Sequence, residues 1–294
     1  MMGSYTYRQW RAAFFFICPL IMFVAVFVLL PVAGTFITSM FRDVAFLEKE
    51  FIGLANYRGL FQERRFWYAL RFTLLFTAVT VPVEMLLGTL FAMILNERIP
   101  FRGILRACII LPWAIPAAIS ARTWELIYNY SYGLANFLII RSGLSNVPLN
   151  WLGTEMGAFF SIVIADVWKT TPFVLIIILA GLQAIPDELY KQAQVDGTTF
   201  FNRFYLITLP LLKPVLVVAL LFRTIDALRV FDIIYVLTNG GPGGATSSLS
   251  IYGYKFFLSG DWGYGSAVSV ALFLIAFGLS IIYVRLGEWS SVVA

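Results

Sequence analysis

The chain has 294 residues, 60% hydrophobic and 13% charged, with a formal net charge of +5 and a mean hydropathy of +0.85. Soluble domains average about 45–50% apolar and about 25% charged residues, so this composition points to a bilayer as solvent. The chain has no histidine, which excludes histidine proton relays and histidine-ligated metals, and its positive residues form no continuous patch of the kind that binds nucleic acid.

The N-terminal MMGSYTYRQWR leads into an apolar run from Phe14 to Ala33. That run is too long for a signal-peptide core and no small-x-small cleavage site follows, so it reads as a retained first span. Six segments supply the about 20 helical residues that a hydrocarbon core of about 30 Å requires. They run 12–38, 72–95, 104–127, 156–182, 211–236 and 266–286. Helices are expected because every backbone amide in lipid must be satisfied within its own segment. Pro19, Pro31, Pro82, Pro112, Pro116 and Pro172 fall inside spans, and each can kink its helix, as suits a bundle around a cavity. Cys18 and Cys108 lie in apolar segments and read as small buried hydrophobes, not as a disulfide or a metal site.

With a cytoplasmic N-terminus, nine basic residues, Arg98 among them, flank the inner span ends and seven flank the outer ones, a narrow margin for that orientation. Residues 41–71, between the first and second spans, mix aromatic and charged side chains and are expected to lie in the membrane interface. After the fifth span, TNGGPGG (238–244) is a glycine–proline loop suited to positive φ. With no repeat, linker or low-complexity tract, the expected organisation is one membrane domain over 1–294 without a nucleotide-binding domain.

Ionisable residues inside spans cost roughly 2.5–3.5 kcal/mol each to insert, so each is a functional candidate by default. Arg122 and Glu125, Asp166 and Lys169, and the run Arg223, Asp226, Arg229 and Asp232 all stand three apart, the spacing of neighbours on a helix surface. The four-residue ladder neutralises itself and turns about 180° around its helix, so it cannot face one groove throughout. It is either a polar wall for a hydrophilic solute or a buried structural network. On the first reading Trp168, Lys169, Asp226, Arg229, Asp232, Tyr235 and Asn239 line a solute pathway. Carboxylate and guanidinium groups hydrogen-bond hydroxyls, and the Trp168 or Tyr235 ring can stack on an apolar sugar face. Asp232, nearest the outer half, is the leading solute contact. Glu84 has no local opposite charge and must find one on another helix or hold a proton.

Residues 187–214, DELYKQAQVDGTTFFNRFYLITLPLLKP, form a polar break between two apolar spans. Asp187-Glu188 after Pro186 suits a helix start. Asp196-Gly197 then breaks the helix, with Asp196 expected to cap a second helix over 198–205. Leu209-Pro210 and Pro214 open the fifth span. The physics specifies a helix–turn–helix at the membrane surface, either a handle for an external partner or an ordinary amphipathic loop.

Ala193, Asp196, Gly197, Phe204, Ile207, Leu209, Pro210 and Pro214 match the coupling-loop pattern of ABC importer permeases, E-A-A-x-x-x-D-G followed by a phenylalanine, I-x-L-P and a second proline. Lys191 stands where the pattern has its glutamate, and Gln192 where it has its first alanine. FIGLANYRGLF, VWKTTPF, LLFRTIDALRVFD and YVLTNGGPGGATSSLSIYGYKFF are similar to segments of disaccharide permeases of the maltose and trehalose type. The chain therefore resembles the carbohydrate branch of that family over nearly its whole length.

The resemblance implies an all-α integral membrane protein of the type I ABC importer permease fold, with six transmembrane helices and a cytoplasmic coupling helix. It implies a bacterial or archaeal cell membrane, with the N-terminus inside. It implies that Glu188, Lys191, Ala193, Asp196, Gly197, Phe204, Leu209, Pro210 and Pro214, in a loop of about 186–210, couple the chain to an ATPase. Its implied partners are a second homologous permease forming a heterodimer, two ATP-binding cassette ATPases, an extracytoplasmic sugar-binding protein and membrane lipid. The sequence lacks GxxxxGK[ST], so ATP and Mg are expected on the partner ATPase, with no cofactor and no enzymatic activity on this chain. The implied function is sugar uptake by alternating access, with a disaccharide or glucoside as solute. An ion-coupled secondary transporter is the alternative; it suits the paired charges but calls for inverted repeats and broken helices at mid-membrane. An intramembrane enzyme lacks a nucleophile–base set or metal ligands.

Overall fold

The computed structural model describes residues 2–97 and 99–291. Arg98, counted above among the inner basic residues, lies outside them. The chain divides into two compact units, one of residues 1–63 and 253–271, the other of 64–252 and 272–294.

The first unit begins with α1 (Met2–Val24), a π turn over Ala25–Leu29 and α2 (Leu30–Thr38). The widened turn ends at Leu29, two residues before Pro31; a proline has no N–H and its ring crowds the preceding turn. Trp10–Thr38 has a mean hydropathy of 3.0 and none of its apolar window is buried. A rod that is apolar on all sides is solvated by lipid or by a partner, not by its own chain. Beyond it, β1 (Phe41–Arg42) pairs antiparallel with β2 (Glu50–Phe51), and α3 (Ala55–Gln62) follows. Asn56 Nδ2 donates to Ser39 O (2.8 Å), a carbonyl that the end of α2 leaves open, and to Phe41 O of β1 (2.9 Å).

The second unit holds α4 (Arg64–Asn96), α5 (Arg102–Ala114), α6 (Ala117–Ile127), α7 (Leu134–Arg141) and α8 (Glu155–Gln183). These are followed by α9 (Asp187–Val195), α10 (Phe200–Arg203), a π turn over Phe204–Thr208, α11 (Leu209–Leu228) and α12 (Asp232–Leu237). The remaining helices, α13 (Leu249–Leu258) and α14 (Trp262–Ser291), are divided between the units. The centre is α8, with 67% of its apolar window buried. Helices in lipid associate through close packing, for which small residues make room. A Cβ on Gly88 would lie 2.6 Å from Val174 Cγ1, and one on Gly181 would lie 2.9 Å from Leu212 and Val215. Glycine therefore sets how closely α8 approaches both α4 and α11. Phe72, Phe76, Ile162 and Ile234 form one core cluster, and Leu95, Leu175, Ile178 and Leu212 another.

Among the described residues, five helices are long and apolar enough to cross a membrane, and six spans result if α5 and α6 count as one. Several expectations are corrected. α4 starts at Arg64, not at Phe72. The third span is bent by 96° between α5 and α6. Pro116 pushes the preceding Ile115 into extended backbone (ψ 134°), which a helix cannot accommodate. The fifth span breaks at residues 229–231, where the sequence has no proline to signal it. Cys108 is exposed and Cys18 only partly covered, so neither is a buried core residue.

Candidate functional site

The polar hairpin folds around its glycine. Helix α9 begins after Pro186 with Asp187 and Glu188 in its first turn, where the helix dipole favours acids. It ends at Asp196; Gly197 has φ +72°, and Thr198 N reaches back to Ala193 O at 3.0 Å. A Cβ on Gly197 would meet nothing within 4 Å, so backbone conformation alone demands glycine there. The second helix is capped by Thr199, whose hydroxyl accepts from Asn202 N, and not by Asp196 as the sequence suggested. α10 and the π turn then run without interruption into α11, with Pro210 at its start. Tyr190 OH and Thr208 Oγ1 lie 3.0 Å apart, tying α9 to the base of that rod. Glu188, Lys191, Asp196, Gly197, Pro210 and Pro214 are exposed, Phe204 and Leu209 are half-buried, and Ala193 is buried. A cleft of about 260 Å³ opens between the arms, lined by Leu189, Ala193, Asp196, Arg203 and Leu206 among others.

A different set of residues marks the upper end of α11. Arg223 is only 1% exposed and carries three carboxylates. It donates twice to Glu84 on α4, once to Asp166 on α8 at 2.5 Å, and once to Asp226 at 3.0 Å. Thr170 adds a donor to Glu84 Oε1 at 2.7 Å. Glu84 thus finds its counter-charge on another helix, and three spans meet at one guanidinium. Asp166 was paired with Lys169 on spacing alone. Lys169 instead donates to Ile115 O at 2.8 Å, filling the carbonyl that the bend between α5 and α6 leaves free. Arg122 and Glu125 do pair, at 2.5 Å.

From this node the charges run on through the C-terminal end of α11 into α12. Asp226 is half-exposed and accepts from the exposed Arg229 at 3.0 Å; the break follows, and Asp232 opens α12. Asp232, Tyr235 and Asn239 are exposed, with the Tyr235 ring stacked on Phe231 at 5.3 Å. Asp232 makes no ion pair among the described residues, so the ladder's fourth rung is open to an outside partner. Trp168 presents about 39% of its surface and packs edge-on against Trp124 at 5.7 Å. Along the ladder, Arg223 is buried in the three-span node, while Asp226, Arg229 and Asp232 are exposed. Thr170 and Phe231 were missed as site residues because neither carries a charge out of place.

The family described as "Binding-protein-dependent transport system inner membrane component" matches residues 84–289, from the Glu84 of the buried node through the hairpin to α14. The chain belongs to this family. It is 55% identical over 284 residues to the trehalose/maltose transport system permease protein MalF of Thermococcus litoralis, covering 96% of each chain. It is 37% identical over 273 residues to the sulfoquinovosyl glycerol transport system permease protein SmoG of Agrobacterium fabrum, covering 92% of this chain and 88% of that one. A chain of a bacterial ABC transporter involved in the import of the acidic polysaccharide alginate superposes with a TM-score of 0.83 at 24% identity, covering 98% of each chain. The architecture is that of type I ABC importer permeases. This permease is a membrane-embedded transport subunit whose helices carry no nucleotide-binding motif.

Proposed function

We propose that this chain is the membrane-spanning subunit of an ATP-driven importer for a sugar, a disaccharide or glucoside of the trehalose/maltose type. The solute arrives from an extracytoplasmic binding protein and crosses by alternating access. The observation that carries the reading is the hairpin α9–α10, a polar arm joined without a break to α11, in a chain of the binding-protein-dependent permease family. The 55% identity with a trehalose/maltose permease supports the sugar class. We assign the whole of 1–294 to one permease domain, with the N-terminus and hairpin cytoplasmic. A second, homologous permease completes the pathway, and two ATPase subunits supply ATP and Mg.

We infer a mechanical line from α9 to the far end of α11. An ATPase that closes on ATP moves α9, gripping it through Glu188, Lys191 and the cleft beside Ala193. The Tyr190–Thr208 contact and the continuous backbone of 200–228 pass that displacement to α11. At its far end α11 carries Asp226 and Arg229, and beyond the break α12 presents Asp232 and Tyr235 to solute. Such a device works only if the ATPase binds the two permease states with different affinity, since a ligand shifts an equilibrium only by its differential affinity.

Trehalose uptake into proteoliposomes holding the full complex tests this reading. Uptake should require both ATP and the loaded binding protein and should continue in the presence of a proton uncoupler. Uptake driven by an ion gradient without ATP would refute it.

A further inference from the structure

Hydroxyls inside the helices of this chain have a standard partner. Thr73, Thr77 and Thr80 on α4 and Thr170 on α8 each donate to the carbonyl four residues back, at 2.6–2.9 Å. That local bond serves a hydroxyl where water does not reach. Thr123 on α6 does the same, to Ile119 O at 3.0 Å. Ser120 on that helix does not. Its backbone N reaches Pro116 O at 3.0 Å, so the carbonyl is in place. Its Oγ is nevertheless buried and unpaired among the described residues, on a residue only 1% exposed. One turn on, Trp124 Nε1 is buried and unpaired as well. Orphaned polar atoms are rare in a folded interior, because each loses its water and gains nothing in return. Here two of them stand at i and i+4, on one face of α6.

We infer that Ser120 Oγ and Trp124 Nε1 bind a hydroxyl of the transported sugar and help decide which sugar passes. This rests on the proposed function and assigns two further residues to its solute pathway. The surroundings favour a sugar. Trp124 packs edge-on against Trp168 at 5.7 Å, whose partly exposed ring offers an apolar face for stacking. It also packs against the cluster that holds Ile233 and Ile234 of α12, the helix that begins with the exposed Asp232. An indole N–H only donates, so its ligand must offer a lone pair, which excludes a cation. A serine hydroxyl donates and accepts, as a sugar hydroxyl does. In this conformation the pair is covered. Helix α12 is short and follows the break at 229–231, so a shift of α12 on α6 uncovers the pair during the transport cycle.

The test uses the full complex in proteoliposomes with ATP. Its binding protein is loaded with trehalose or with a monodeoxy trehalose that it also takes. Ser120→Ala deletes the hydroxyl, and Trp124→Phe deletes the N–H while keeping a ring against Trp168. Both variants should assemble, and Ser120→Ala should match or exceed the wild-type melting temperature, because it removes an orphaned group. Each should take up trehalose about tenfold more slowly at limiting loaded binding protein. For one deoxy analogue, the penalty seen in wild type should vanish in the variants, since the missing hydroxyl no longer leaves a buried partner unpaired. Comparing variant with wild type on the same analogue cancels the binding protein's own selectivity. Unchanged trehalose uptake, the result if the pair holds only a structural water, overturns the inference. So does slower uptake with every analogue ratio kept as in wild type, or with a lowered melting temperature for Ser120→Ala. If wild type takes up no trehalose, the proposed function fails; if it does and the variants keep its preferences, only the assignment of Ser120 and Trp124 fails.

Discussion

Arg223 holds three carboxylates from an almost wholly buried position. Removing one partner of such a cluster leaves unbalanced charge in a poorly solvating interior, which costs about 3–5 kcal/mol. Arg223→Met should therefore lower the melting temperature of the purified complex or prevent its assembly. Adding Glu84→Gln should recover part of the loss, because it removes one orphaned acid. Asp232 is the contrasting case: exposed and unpaired among the described residues, it has little internal structure to support. Asp232→Ala should reduce sugar uptake several-fold while the subunits still co-purify; loss of assembly would make it structural. The sequence exposed both residues as charges in apolar surroundings. It did not distinguish them, because a spacing of three describes one helix and the pairing of Arg223 is decided by two others.

At the scale of elements, two junctions are sensitive to single changes. Gly197 sits at φ +72°, whereas proline is locked near about −65°. Gly197→Pro should leave the protein inserted but disconnect α9 from α11, so that ATPase activity no longer responds to loaded binding protein. A normal response would show that the hairpin is not a coupling arm. Lys169 fills the carbonyl of Ile115 at the 96° bend. Lys169→Met leaves that carbonyl unsatisfied and should destabilise the protein by about 1–3 kcal/mol, readable as a lower melting temperature. The bend itself was legible through Pro116. The break between α11 and α12 was not, since residues 229–231 contain neither proline nor glycine and only their packing reveals it.

For the whole molecule, the first span is the informative element: Trp10–Thr38 buries none of its apolar window within the chain. Lipid or a second subunit must cover it, as befits a protein that works in an assembly. Topology can be tested directly. Val195, at the hairpin's tip, is 88% exposed. In a background with Cys18 and Cys108 replaced by serine, Val195→Cys should react with a membrane-impermeant maleimide in inverted vesicles and not in right-side-out ones. The reverse pattern would place the hairpin outside and remove the basis for ATPase coupling.

The amino-acid sequence alone determined the solvent, the apolar membrane helices, the hairpin and its glycine, because hydropathy, helix length and the demand for positive φ are local properties. It also carried the family resemblance, which rests on motifs that lie within single segments. The tertiary structure alone decided which charges are buried and which face open space. It also decided that Lys169 serves a backbone carbonyl rather than Asp166. The physical reason is the same in each case: an ionic or backbone contact between helices depends on how neighbouring helices pack, and no single segment encodes that.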